Sequence, residues 1–462
     1  MAILTKILKL KRIWIIGLVG VFVTLSLNAC NPAGLKTSAA QTNQLVVSIL
    51  SDPKTFNYAL SNESPNIFGL TFAGLVTEDP FTGETQPDLA ESWQISPDKL
   101  KITFTMRDSL KWSDGKPLTV DDVVFTFNDI YLNEAIPTDA RDVLRVGAKG
   151  LLPSVRKVDE RRVEFSIPEP FSPFLGVTGL PLLPAHALRP FIQTKDSEGK
   201  PIFLSKWGVD TPPDQIIVNG PYKVARYNTG ERIIFTRNPY YWRKDAKGQQ
   251  QPYIERVIWQ IVESTDTGLI QFRSGGLDNV AVTPDYFSLL KAQEDQGNFK
   301  IYNGGPAAST TFMMFNLNKA KRNGVPLVNP IKSRWFNTVE FRQAIAYAID
   351  RQTMINNIYR GLGEPQDSPL YAKSPYYLSP AEGLKVYNYN PERARQLLTK
   401  AGFKYDGRGL LLDESGNRVR FTLLTNAGNK IREAMGAQIK QDLGRIGITV
   451  DFTPVAWSAL LD

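Results

Sequence analysis

A chain of 462 residues with 42% hydrophobic and 22% charged content can bury a sizeable core, which excludes a disordered protein. Its formal charge is +8, but four positive charges fall in the first twelve residues, so the remainder carries only a mild excess and gives no case for nucleic-acid binding. One histidine, His186, and one cysteine, Cys30, leave no inventory for a Ser/His/Asp triad, a Cys/His pair or a metal-spaced cluster.

The chain opens with Lys6, Lys9, Lys11 and Arg12 and no acid, followed by an uncharged run from Ile13 to Leu27. That run is 15 residues long, and a spanning helix needs about 20. A secretory signal is therefore expected over residues 1–30, in place of a transmembrane anchor. Leu27-Asn28-Ala29-Cys30 resembles a bacterial lipobox, with Asn28 where a small residue is commoner. A lone cysteine in an exported protein has no internal disulfide partner. Cys30 is the expected lipidation site, and several acyl chains on one residue suffice for stable anchoring. Residues 31–44 are small and polar without a hydrophobic period, and read as a flexible tether.

Short strands and helices then alternate. Residues 45–50 read as a first strand. Ile102, Phe104 and Met106 alternate with polar residues, the pattern of a half-buried strand. Asp114-Gly115 is a turn pair. Thr119 opens a helix with Asp122 at N3, in the manner of a capping box, and Val120, Val123, Val124 and Phe127 share its face. Val163, Phe165 and Ile167 form another alternating strand, with its mate expected at 154–158. Further on, Thr338 can cap a helix that turns Phe341, Ile345, Ala348 and Ile349 inward. Asn390-Pro391 supplies an N-cap and a proline at N1, and Gly402 a stop. Ile431, Met435, Ile439, Leu443 and Ile446 form a helical stripe, before a strand through Ile448, Val450 and Phe452. The class is α/β or mixed α+β.

No Walker A or GxGxxG pattern occurs. Paired carboxylates remain open, because 46 acids always allow some pair, yet no spacing selects one. His186, in Pro184-Ala-His186, reads as structural.

Several ordered segments carry a resemblance. Gln86-Pro-Asp-Leu-Ala-Glu-Ser-Trp93, Phe104-Thr-Met-Arg107 and Leu110-Lys-Trp-Ser-Asp-Gly-Lys-Pro-Leu-Thr-Val-Asp-Asp-Val-Val-Phe125 come first. Val218-Asn-Gly-Pro-Tyr222, Arg237-Asn-Pro-Tyr-Tyr-Trp242 and Arg273-Ser-Gly-Gly-Leu-Asp278 follow. Phe341-Arg-Gln-Ala-Ile-Ala-Tyr-Ala-Ile-Asp-Arg351, Tyr389-Asn-Pro-Glu-Arg-Ala-Arg-Gln-Leu-Leu398 and Leu443-Gly-Arg-Ile-Gly-Ile-Thr-Val450 complete the set. Together they resemble the family 5 extracellular solute-binding proteins, which include oligopeptide, dipeptide and nickel binders. Ser113, Val120 and Asn219 depart from the usual residues. Most of these Trp, Gly and Pro positions read as turns and packing, so they mark the family without marking a ligand.

The resemblance implies a two-lobed, periplasmic-binding-protein-like fold of the type II, peptide-binding class, with an inserted third subdomain. Residues 45–75 and 205–265 would form the first lobe, 76–204 the insert, and 266–462 the second lobe. It implies a non-enzymatic component of an ABC importer, which captures a peptide outside the cytoplasmic membrane and passes it to permease subunits. Asn57, Tyr58, Thr311 and Trp457 are the candidate ligand contacts. For Trp457, an aromatic wall that accepts varied side chains and plain packing within the lobe both stay open. No cofactor, metal or nucleic acid is expected, and a monomer is. Nickel chelates, opines or oligosaccharides are the alternative ligands within the family, although a single histidine disfavours an imidazole-built metal site. A lipoprotein hydrolase using a carboxylate pair is the alternative from another class. Members of the family extend beyond the position of Asp462, with an Asp there that holds a peptide's amino group, so an incomplete second lobe is the expectation.

Overall fold

The computed structural model describes residues 43–61, 66–305, 310–372 and 374–461. The expected signal, Cys30 and the expected tether up to residue 42 lie outside the described residues. Among the described residues no helix is long and apolar enough to cross a membrane.

Sixteen strands are named here in chain order among the described residues. β1 (Gln44–Ile49) is followed by β2 (Val76–Glu78), β3 (Thr85–Pro87), β4 (Ala90–Ile95), β5 (Lys101–Met106), β6 (Ser154–Lys157) and β7 (Arg162–Ser166). β8 (Tyr222–Asn228), β9 (Arg232–Arg237) and β10 (Arg256–Ile261) follow. Two short hairpins, β11 (Lys321–Arg322) with β12 (Val325–Pro326) and β13 (Lys404–Tyr405) with β14 (Leu411–Leu412), precede β15 (Arg420–Asn426) and β16 (Thr449–Val455).

The first sheet has the order β1-β10-β9-β8. β8, β9 and β10 run antiparallel, while β1 adds parallel to β10 from Gln44↔Arg256 to Ile49↔Ile261. The strand therefore starts and ends one residue before the expected 45–50, inside the predicted tether. The cause lies in the backbone. Asn43 donates through its amide to Tyr253 O at 3.1 Å, and its own carbonyl accepts from Glu255 N and Arg256 N, so pairing begins there.

The second sheet, β4-β5-β7-β6, is built from the alternating strands. Along β5 the apolar residues Ile102, Phe104 and Met106 are buried and their neighbours are not. β7 pairs β5 on one side and β6 on the other, with Ser154↔Ser166 setting the register. Phe165 sits at the centre, edge-on to Phe104 at 5.6 Å and to Phe127 at 4.8 Å. Such aromatic pairs add about 0.5–1.5 kcal/mol each beyond their buried area. Thr119 and Asp122 make the capping box for the helix Val120–Val124, which continues as a π-helix over Phe125–Tyr131. The other Asp122 oxygen accepts from Ala185 N at 2.9 Å, so this one carboxylate also fixes the helix Ala185–Gln193.

The insert and the first sheet share one continuous apolar core, running from Phe56 to Val257. A second, separate core runs from Trp335 to Val450. There the helix Lys430–Arg445 packs on the parallel pair β15 and β16, Phe341 of the helix Val339–Ala348 meets Phe421 of β15, and the helix Pro391–Lys400 packs on Val339–Ala348. Phe315, Phe336, Phe341 and Phe421 form a ring cluster with centroids 5.0 to 6.4 Å apart. Asn390 accepts from Arg393 N at 2.9 Å as the cap of its helix, and Gly402 has φ +91° just past the other end. That left-handed conformation favours glycine.

Candidate ligand-binding cleft

The two cores define two lobes, and the chain passes between them after β10. Ser264 caps the helix Thr265–Arg273, accepting from Thr267 N at 3.1 Å. Thr265 N donates to Gly428 O at 3.2 Å, so the end of the crossing meets the loop that follows β15. Gly428 has φ +85°, and a Cβ there would lie 2.5 Å from Glu263 O. Only glycine fits this approach. The chain then turns back onto β1: Asp278 N donates to Val46 O at 2.8 Å, and Val46 N donates to the Asp278 carboxylate at 2.7 Å. The stretch after 265 thus packs on the first sheet before the chain enters the second core.

The carboxyl ends of the parallel strands β15 and β16 lie beside this pivot, and in open α/β sheets ligands bind at such strand ends. Five side chains gather here. Arg432, on the first turn of the helix Lys430–Arg445, donates to Asn426 Oδ1 at 2.9 Å. Its guanidinium lies 5.9 Å from the centroid of the Trp457 ring. Tyr359 donates to Met435 Sδ at 3.8 Å, and its phenol is pushed up by burial against a smaller opposing pull from Arg432. Trp457 is half-buried, and its indole N–H is buried with no acceptor among the described residues.

The other candidates fall elsewhere. Asn57 is fully buried, and both ends of its amide are engaged: Oδ1 accepts from Ala59 N at 3.1 Å and Nδ2 donates to Lys206 O at 3.2 Å. Tyr58 is half-buried in the first lobe, edge-on to Phe68 at 5.3 Å and to Tyr131 at 6.2 Å, and burial pushes its phenol up, with Asp139 adding to the effect. Thr311 is exposed beside the exposed Phe312. Among the four candidates, Trp457 is the one beside the pivot. Nothing in the spacing of the sequence marks Arg432 or Asn426. Arg432 lies between Ile431 and Met435 of the helical stripe, where a basic residue reads as helix surface.

His186 Nε2 lies 2.9 Å from Asp114 Oδ2, with the Trp112 ring 6.3 Å away. It borders a surface concavity of about 430 Å³ that also takes in Pro117, Thr119, Arg189 and Gln193. The buried carboxylates are occupied. Asp88 accepts from Arg243 at 3.3 Å, Asp122 caps two backbone segments, Asp413 accepts from Trp335 Nε1 at 3.0 Å, and Asp442 accepts from Asp350 N at 3.0 Å. Burial pushes Asp88, Asp122 and Asp442 above the usual carboxylate range. Among the described residues no group of three or more His, Cys, Asp or Glu is placed to hold a metal.

Comparison with known proteins agrees with this architecture. A probable ABC transporter-binding protein of Deinococcus radiodurans is 32% identical over 422 residues, which cover 89% of this chain and 68% of that protein. The oligopeptide-binding protein AppA of Bacillus subtilis is 27% identical over 454 residues, 94% of this chain and 75% of that one. The structure of AppA with a nonapeptide superposes with a TM-score of 0.70, covering 90% of this chain and 75% of that chain. The periplasmic binding protein MelB of Agrobacterium fabrum, in complex with stachyose, superposes with a TM-score of 0.74 at 21% identity, covering 90% of this chain and 65% of that chain, and supports the fold alone. The family model of bacterial extracellular solute-binding proteins, family 5 (middle), matches residues 84–462, and the chain belongs to that family.

Proposed function

We propose that this protein is the peptide-capturing component of an ABC importer. It binds its ligand between the lobes at the ends of β15 and β16 and delivers it to permease subunits without chemistry on the ligand. The observation that carries this reading is the Trp457 wall beside the pivot, in a chain that is 27% identical to an oligopeptide binder over nearly its whole length. An indole face offers apolar area without a fixed hydrogen-bond pattern, which suits a ligand of varied side chains. Tyr58 is proposed as a further contact from the first lobe, on a turn fixed by Asn57, and Thr311 as a peripheral one. The protein acts as a monomer held to the membrane through lipid on Cys30.

The test is to purify the full-length chain from its own cells, identify co-purified molecules by mass spectrometry, and titrate defined peptides by calorimetry. Peptides should co-purify, and Trp457→Ala should weaken peptide binding by roughly tenfold, the equivalent of about 1.4 kcal/mol. Binding of oligosaccharides with no affinity for any peptide would overturn the reading.

A further inference from the structure

The lobes also touch at a second point. The Tyr371 hydroxyl donates to Glu78 Oε1 at 2.6 Å, across 293 residues of sequence. Each partner is held in place by its own lobe. Glu78 ends β2, opposite Thr85 of β3. The turn that follows is fixed by Asp79, whose Oδ1 accepts from Phe81 N at 2.8 Å and Thr82 N at 2.9 Å, while Oδ2 accepts from Gln86 Nε2 at 3.0 Å. On the other side, Tyr371 follows a segment pinned by Arg351. That guanidinium donates to Asp367 Oδ1 at 2.7 Å, to Gln366 O at 2.9 Å and to Tyr387 O at 3.0 Å. Gln366 in turn donates to Ser368 O at 2.7 Å and to Leu370 O at 2.6 Å. The backbone on each side is thus ordered before the lobes meet, and the bond costs only the rotamer freedom of the exposed Glu78 and of Tyr371.

We propose that the Tyr371–Glu78 hydrogen bond is a latch that biases the lobes toward the closed arrangement independently of any ligand. The bond joins two protein groups and requires no ligand atom. It therefore adds to the fraction of molecules in the closed state without ligand, and apparent affinity for every ligand scales with that fraction. A ligand adds its own preference for the closed state on top. The bond also pushes the Tyr371 phenol up, as donation to a carboxylate must. The proposal rests on the two-lobed reading of the protein but not on the identity of the ligand.

The test is made on the full chain carrying Cys30→Ser, with spin labels on cysteines at Gln94 and Lys440, one in each lobe, and no peptide added. Pulsed dipolar spectroscopy then reads the closed-to-open ratio directly. Tyr371→Phe and Glu78→Ala should each lower that ratio by about two- to fivefold, the range for an exposed charged contact. The double variant should lower it no further than either single one. Distance distributions that superpose on the parent's would overturn the latch, even if the variants melt at lower temperature, since that would mark a local strut. A shift in Tyr371→Phe without one in Glu78→Ala would overturn it as well. Failure of peptides to bind would instead count against the ligand assignment and leave these distances as they are.

Discussion

At the scale of single residues, polar groups divide between those that hold the chain and those that remain open to a ligand. Asn57 belongs to the first kind, because every polar atom of its side chain is engaged by backbone. Asn57→Ala should lower stability by about 1–2 kcal/mol in urea denaturation and weaken peptide binding less than Trp457→Ala does, since it acts only through the turn that carries Tyr58; a larger loss of affinity at full stability would refute the assignment. Asp413 is another. Burial pushes its carboxyl up, but hydrogen bonds from Asn417, Trp335 and Ser415 outweigh this and hold it below the usual carboxylate range. Its stabilisation is therefore complete above the unfolded value of about 3.9 and is lost as pH falls through the depressed folded value. Asp413→Asn should cost about 1–3 kcal/mol at pH 7, and the gap from the parent should narrow as unfolding is followed from pH 4 down to pH 2. A gap that stays constant across that range would exclude a charged Asp413.

At the scale of elements, local patterning was sufficient wherever one face is buried. The strand β5, the capping box at Thr119 and the helix begun by Asn390-Pro391 all formed where periodicity and caps required them. β15 carries no clear alternation. Its Leu423-Leu424 pair breaks the alternation, and Leu424 is 46% exposed. What makes this segment a strand is parallel pairing with β16, from Arg420↔Thr449 to Asn426↔Val455, across an intervening helix. The Phe cluster packed against β15 gives the element its energetic weight. Phe341 is fully buried within it, so Phe341→Ala should cost about 3–5 kcal/mol in chemical denaturation, and a cost below 1 kcal/mol would contradict the packing described.

At the scale of the whole molecule, two separate cores imply two cooperative units. Chemical denaturation should show two transitions, with Phe104→Ala moving one and Phe341→Ala the other; a single transition moved by both would contradict that separation. The sequence by itself determined the family and the strand and helix positions with strong periodicity, because these depend on spacing along the chain and on residue types in a fixed order. It did not determine which polar residues remain available for a ligand. Asn57 follows the first strand, where a ligand contact is expected, yet the loop at Lys206 engages its amide. Arg432 read as helix surface, yet it faces Trp457. The pivot at Gly428 and the contact between Tyr371 and Glu78 join segments far apart in the chain. Hydrogen-bond satisfaction and the approach of one lobe to the other are properties of distance in space, which a one-dimensional pattern does not contain, and so only the tertiary structure decided them.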